Sequence, residues 1–164
     1  MNRSVGRNWR PVLVAALAAT AVAVAGAWIT ELGPWYYGLR LPAWKPPDWL
    51  FGPAWTLIFT LTAIAGVRAW RDARDSRTRR RLMALFALNA ILNIAWSVLF
   101  FRLERPDWSL KEVVLLWGSI VLLMVLLGSQ RRGTAALLLP YLVWVTFAGV
   151  LNASVVQLNG PFGR

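Results

Sequence analysis

Residues 82–101 read LMALFALNAILNIAWSVLFF, twenty positions without a charged side chain. A membrane helix needs roughly 20 apolar residues to cross about 30 Å of hydrocarbon, whereas a buried soluble helix needs only about 10–14. Working outward, the same exclusion of charge recurs in Pro11–Thr30, Trp49–Val67, Val113–Gln130 and Gly133–Gly163. The five windows hold 20, 19, 20, 18 and 31 residues in chain order. Lipid offers no partner to open backbone groups, so each window has to satisfy its own N–H and C=O groups as a helix. The sequence therefore predicts an all-α membrane protein, a bundle of five transmembrane helices in one domain over residues 1–164. The helices are expected at about 9–30, 50–70, 82–101, 111–128 and 134–158.

The charges sit between the windows. The net charge is +11, which in a soluble chain would suggest nucleic acid. Flanking membrane spans, it reads instead as a topology signal and a contact for anionic lipid, with no nucleic-acid partner. Arg3, Arg7, Arg10, the seven arginines from Arg68 to Arg81, Arg131 and Arg132 fall on one side, twelve in all. Arg40, Lys45, Arg102, Arg105, Lys111 and Arg164 fall on the other with Glu31, Asp48, Glu104, Asp107 and Glu112. This two-to-one bias predicts a multi-pass protein with a cytoplasmic N-terminus. The arginine-rich, lysine-poor usage points to a bacterial cell membrane. The first window outruns the usual core of a secretory signal and continues through Trp28 and Ile29, so a retained helix is expected.

Several chemistries are excluded by composition. There is no cysteine and no histidine, which removes disulfides, Ser-His-Asp and Cys-His catalysis and the usual haem ligands, and argues against zinc, copper or iron sites. No metal and no cofactor are expected. No window carries Asp, Glu, Lys or Arg, so a proton pump or voltage sensor, which needs intramembrane charge, is not expected.

What remains are polar and aromatic stripes. Asn89, Asn93 and Trp96 stand at i, i+4 and i+7 on one face. The spacing leaves two readings open: hydrogen bonds between helices, or a lining that orients a ligand. Tyr141, Trp144, Ala148, Leu151 and Asn152 form a second stripe, and Trp55 with Phe59 a third. Trp9, Trp28, Trp70 and Trp108 lie near helix ends and read as interfacial belt residues. Pro140 is expected to kink the last helix. Residues 31–53 form the longest connection, and its stretch 41–55, LPAWKPPDWLFGPAW, packs three tryptophans and four prolines into fifteen positions. Loops of this length are often functional.

The segments WYYGLRLPAWKPPDWLFGPAW (35–55), LNIAWSVLFF (92–101) and PYLVWVTFAGVLN (140–152) resemble, in order and spacing, the TspO/MBR family of translocator proteins, also called peripheral-type benzodiazepine receptors. The resemblance covers about residues 10–159. It implies a five-helix bundle whose long loop folds over a cavity for porphyrins, isoquinoline-type ligands and, in some members, sterols. It implies a lid with Trp44, Pro47 and Trp49, and a pocket of Trp55, Phe59, Asn89, Asn93, Trp144, Ala148 and Leu151. A homodimer and a role as a tetrapyrrole or stress regulator are implied as well. Binding is the first expectation and enzymatic activity is not; the alternative is light-dependent porphyrin degradation through Trp55 and Trp144. The C-terminal tyrosine-containing pattern of sterol-linked members is missing after Asn152, which argues against sterol recognition by that route.

Overall fold

The computed structural model describes residues 9–30 and 32–163. Arg3, Arg7, Glu31 and Arg164, which enter the charge pattern, lie outside them. The elements are α1 (Arg10–Ile29), α2 (Pro34–Gly38), α3 (Phe51–Asp72), α4 (Ser76–Ser97), α5 (Pro106–Gln130), α6 (Arg132–Ala136) and α7 (Leu139–Asn159). A 3-10 turn, Asp48–Leu50, leads into α3, and a π turn, Val98–Arg102, extends α4. Five spans are long and apolar enough to cross a membrane, and no strand occurs among the described residues. The fold is an all-α, five-helix membrane-spanning bundle.

The three middle spans are longer than their uncharged windows, and the reasons are local. The basic stretch 71–81 is mostly helix rather than link. Asp75 caps α4: its side chain accepts the Thr78 N–H at 2.8 Å and the Thr78 hydroxyl at 2.7 Å. Such a cap stabilises a helix start by about 1 kcal/mol, and arginine is a good helix former behind it. At α5 the start moves from the expected 111 back to Pro106, which sits where a missing N–H costs nothing. That shift corrects the reading of Glu112. Expected in the first turn of its helix and grouped with the charges of one membrane face, it lies more than a turn into α5 and is only 7% exposed.

Pro140 corrects a second expectation. It does not kink a continuous helix. The chain breaks just before it, where Leu137 N–H bonds to Thr134 O and Leu138 N–H to Ala135 O. Pro140 then falls in the first turn of α7, where its missing donor has no helical acceptor to lose.

Around the bundle the order is α3, α1, α4, α5, α7, closing from α7 back to α3. The core lies along α5. Leu116, Ile120, Leu123 and Leu127, spaced by three and four, are at most 3% exposed. The α4–α5–α7 side is also tied by side-chain hydrogen bonds. Asn89 donates to Ser119 Oγ at 2.9 Å, Tyr141 donates to Asn89 Oδ1 at 3.3 Å, and Asn93 donates to Tyr141 Oη at 3.2 Å. Ser109 donates to Asn152 Oδ1 at 2.9 Å, and the Asn152 amide donates to Pro106 O at 2.9 Å. α1 contributes no buried residue.

Candidate functional site

The site begins with its cover. Gly33 and Pro34 start the short α2, and beyond it the chain turns at Pro42–Lys45, where Lys45 N–H bonds Pro42 O at 3.0 Å. Tyr36 of α2 is buried beside Phe100 and Val155 and donates to Asp48 Oδ1 at 3.2 Å. Lys45 bonds the same Asp48 oxygen. Its ammonium also lies 5.6 Å from the Tyr36 ring centre and 5.9 Å from that of Phe51, within range of a cation–π attraction. The far end of the loop is pinned to α7: Arg40 N–H donates to Asn159 Oδ1 at 2.7 Å, and the Asn159 amide returns a bond to Arg40 O at 2.9 Å. Burial pushes the Tyr36 phenol above its usual range, against the pull of Lys45. Burial pulls Lys45 down, but its bonds to Asp48 and Tyr36 outweigh it and hold the ammonium above the ordinary lysine value.

Beneath this cover lies a cavity of about 970 Å³. Its upper part is aromatic. Phe51, Trp55, Phe59, Trp96, Phe101 and Trp144 line it, with Asn93 and Ser97 as polar insertions. Trp55 stacks on Phe59 at 5.2 Å and meets Trp144 edge-on at 6.5 Å and Tyr141 edge-on at 6.0 Å. Phe51 meets Trp144 edge-on at 5.5 Å. The lower part runs between α1 and α3. Ala15, Ala16, Ala19 and Ala23 of α1 face Thr56, Thr60 and Ala63 of α3, and the cleft ends at Arg68 and Arg71. Small side chains leave this space open: a Cβ added at Gly26 or Gly52 would meet no neighbouring atom within 4 Å.

Trp55, Phe59, Asn93, Trp144 and Ala148 therefore share one cavity. The other candidates stand apart from its lining. Trp44 lies edge-on to Phe147 of α7 at 5.8 Å, over the bundle. Pro47 is exposed and accepts the Leu50 N–H. Trp49 is 71% exposed. Leu151 is half-buried on α7, outside the lining. The two asparagines diverge: Asn89 is a bond between helices alone, while Asn93 bonds Tyr141 and also faces the cavity. Trp96 belongs to the wall and was already marked by its place seven residues beyond Asn89. The α1 wall was legible in its alanines at steps of three and four. Among the described residues no cluster of three metal-ligating side chains occurs.

The TspO/MBR family profile matches residues 13–158. The chain belongs to the TspO/MBR family. It is 39% identical over 141 residues to the tryptophan-rich protein TspO of Chlorobaculum tepidum, covering 85% of this chain and 89% of that protein. It is 37% identical to the tryptophan-rich protein TspO of Archaeoglobus fulgidus, covering 93% and 99%. The human translocator protein is 29% identical over 126 residues, covering 76% and 75%. Membership in the TspO/MBR family supports a general role in binding or transporting hydrophobic ligands, and the chain is an integral, multi-pass membrane protein.

Proposed function

We propose that the protein binds and translocates porphyrins and related hydrophobic ligands. The observation that carries the reading is the aromatic upper cavity, where the faces of Trp55, Phe59 and Trp144 surround a space with few polar groups. The cavity's 970 Å³ lies near the top of the ordinary range for small-molecule sites, about 300–1,000 Å³. Indole rings suit a flat π-system, and an indole stacked on a ligand needs no metal. Lacking histidine and cysteine, the chain offers no usual axial ligand for haem, which favours a free-base porphyrin.

Tryptophan fluorescence tests the reading. Protoporphyrin at micromolar concentration is expected to quench the protein in lipid nanodiscs, and Trp55→Ala is expected to weaken binding about tenfold, a loss of one well-stacked ring. No quenching of the wild type would sink the proposal.

The edge-on pair Trp55 and Trp144 keeps one second reading in play, light-dependent porphyrin degradation. Bleaching of porphyrin absorbance in light with the wild type, but not with Trp55→Phe or Trp144→Phe, supports it. Equal bleaching with and without protein excludes it. A homodimer, a cytoplasmic N-terminus and a bacterial membrane complete the proposal; cross-linking in the bilayer and reporter fusions at either terminus check the first two.

A further inference from the structure

Glu112 takes no part in the site described so far, yet it is among the least comfortable groups in the bundle. It is 7% exposed, and neither carboxylate oxygen has a hydrogen-bond partner among the described residues. A buried carboxylate without a partner is costly, and removing the cost requires a counter-charge or donors.

Its position follows from the bonds between helices. Asn89 of α4 meets Ser119 of α5. The helices are antiparallel, so seven residues forward on α4 and seven back on α5 set Trp96 level with Glu112. Ser109 of α5 meets Asn152 of α7. Three residues on along α5 and three back along α7 set Gly149 at the same level. Trp96, Ser97 and Ala148 line the cavity here, as do Val113 and Leu116, one and four residues beyond Glu112. Glu112 itself is not part of that lining, but its neighbour Val113 and Leu116, one turn on, are, and the small Ser97 and Ala148 belong to the wall at this level. The Trp96 Nε1–H is likewise buried without an acceptor.

Among the described residues no cation bonds this carboxylate. At this level α4 presents Trp96 and Ser97, α7 presents Gly149 and Asn152, and α5 itself offers Ser109, Val113 and Leu116. Lys111 is exposed, and the Arg105 guanidinium is held by Asp107. Neither Glu112 oxygen bonds a cation among the described residues.

We propose that Glu112 is the anionic end of a subsite for lipophilic amines: the apolar body lies among the rings of the upper cavity, and the ammonium passes Ser97 and Ala148 to the carboxylate. The two halves of such a ligand meet matching surroundings. Aromatic faces attract cations, more strongly where water is excluded, and opposite charges attract far more strongly in a dry interior than in water. This subsite is separate from the porphyrin reading, and a failed porphyrin titration leaves it standing.

A matched pair of probes tests it. Naphthalene-1-methylamine and naphthalene-1-methanol share one ring and differ in the charged nitrogen. Calorimetric titration into the full-length protein in lipid nanodiscs, corrected with empty nanodiscs, should show the amine binding at least about tenfold tighter, roughly the scale of one desolvated ion pair. Glu112→Gln keeps the volume and should erase the preference while leaving the alcohol's affinity unchanged; its thermal unfolding serves as the folding check. Equal affinity of the wild type for both probes overturns the proposal, and does so even if the variant fails to fold. A preference that survives Glu112→Gln overturns it as well.

Discussion

The two sides of the bundle are built on different principles. On the α4–α5–α7 side, buried leucines interlock and amides and hydroxyls bridge from helix to helix. On the α1–α3 side, the hydroxyls of Thr56 and Thr60 bond back to Gly52 O and Thr56 O within their own helix. α1 buries no described residue, and the Arg102 guanidinium reaches it from the end of α4 by a bond to Trp28 O at 3.4 Å. Lipid tails are as apolar as leucine, so helices in a bilayer are held by close packing and polar ties rather than by exclusion from water. The difference teaches that this fold keeps rigidity on one side and space on the other.

The largest test of that contrast is a pair of truncations. Leu123→Ala empties a fully buried position on α5 and should cost about 3 kcal/mol, while Leu17→Ala, on a residue of α1 that is 70% exposed, should stay within about 0.5 kcal/mol. Unfolding in mixed micelles, followed by tryptophan fluorescence, measures both, and equal losses would erase the distinction. A smaller effect separates the polar ties. Asn152→Leu removes the amide's bonds to Pro106 O and the Ser109 hydroxyl, which keep only their bond to each other, and should cost about 1 kcal/mol. Thr60→Val removes only a bond within α3 and should cost a few tenths, about 0.3 kcal/mol.

The smallest effect concerns the cover. Lys45 and Tyr36 are both held above their usual pKa values, so the latched form keeps its protons more tightly than the open one. The latch is then fully present below the ordinary lysine range and is lost as pH rises through the raised values. Release of a bound porphyrin, followed by stopped flow, should quicken modestly at strongly alkaline pH, and less so in Lys45→Gln. Release that is flat with pH in the wild type would count against the latch.

The five spans were readable because lipid excludes charge over a fixed length, a constraint that windows such as 82–101 display openly. Their ends were not, because caps and a first-turn proline extend helices beyond the hydrocarbon without regard to polarity. Glu112 was missed for that reason: a charge at a window's edge looks interfacial until Pro106 starts the helix early. Within the site, Trp55 and Phe59 could be paired by helical spacing alone. Trp44 and Trp49 could not be told apart, since their proline-rich backbone has no period to say which ring faces the bundle. Asn89 and Asn93 share a stripe, but one helical turn, about 6 Å, carries the first past the cavity to Ser119.

α1 carries a consequence for assembly. It precedes the other four spans, and its contacts with α3 and α4 leave every one of its described residues partly open. Its place is defined only once α3 and α4 have been threaded into the bilayer. Of the five spans it is the first made, and it is expected to wait for two later ones before it can settle, so the open cleft beside it is expected to be a seam that closes late.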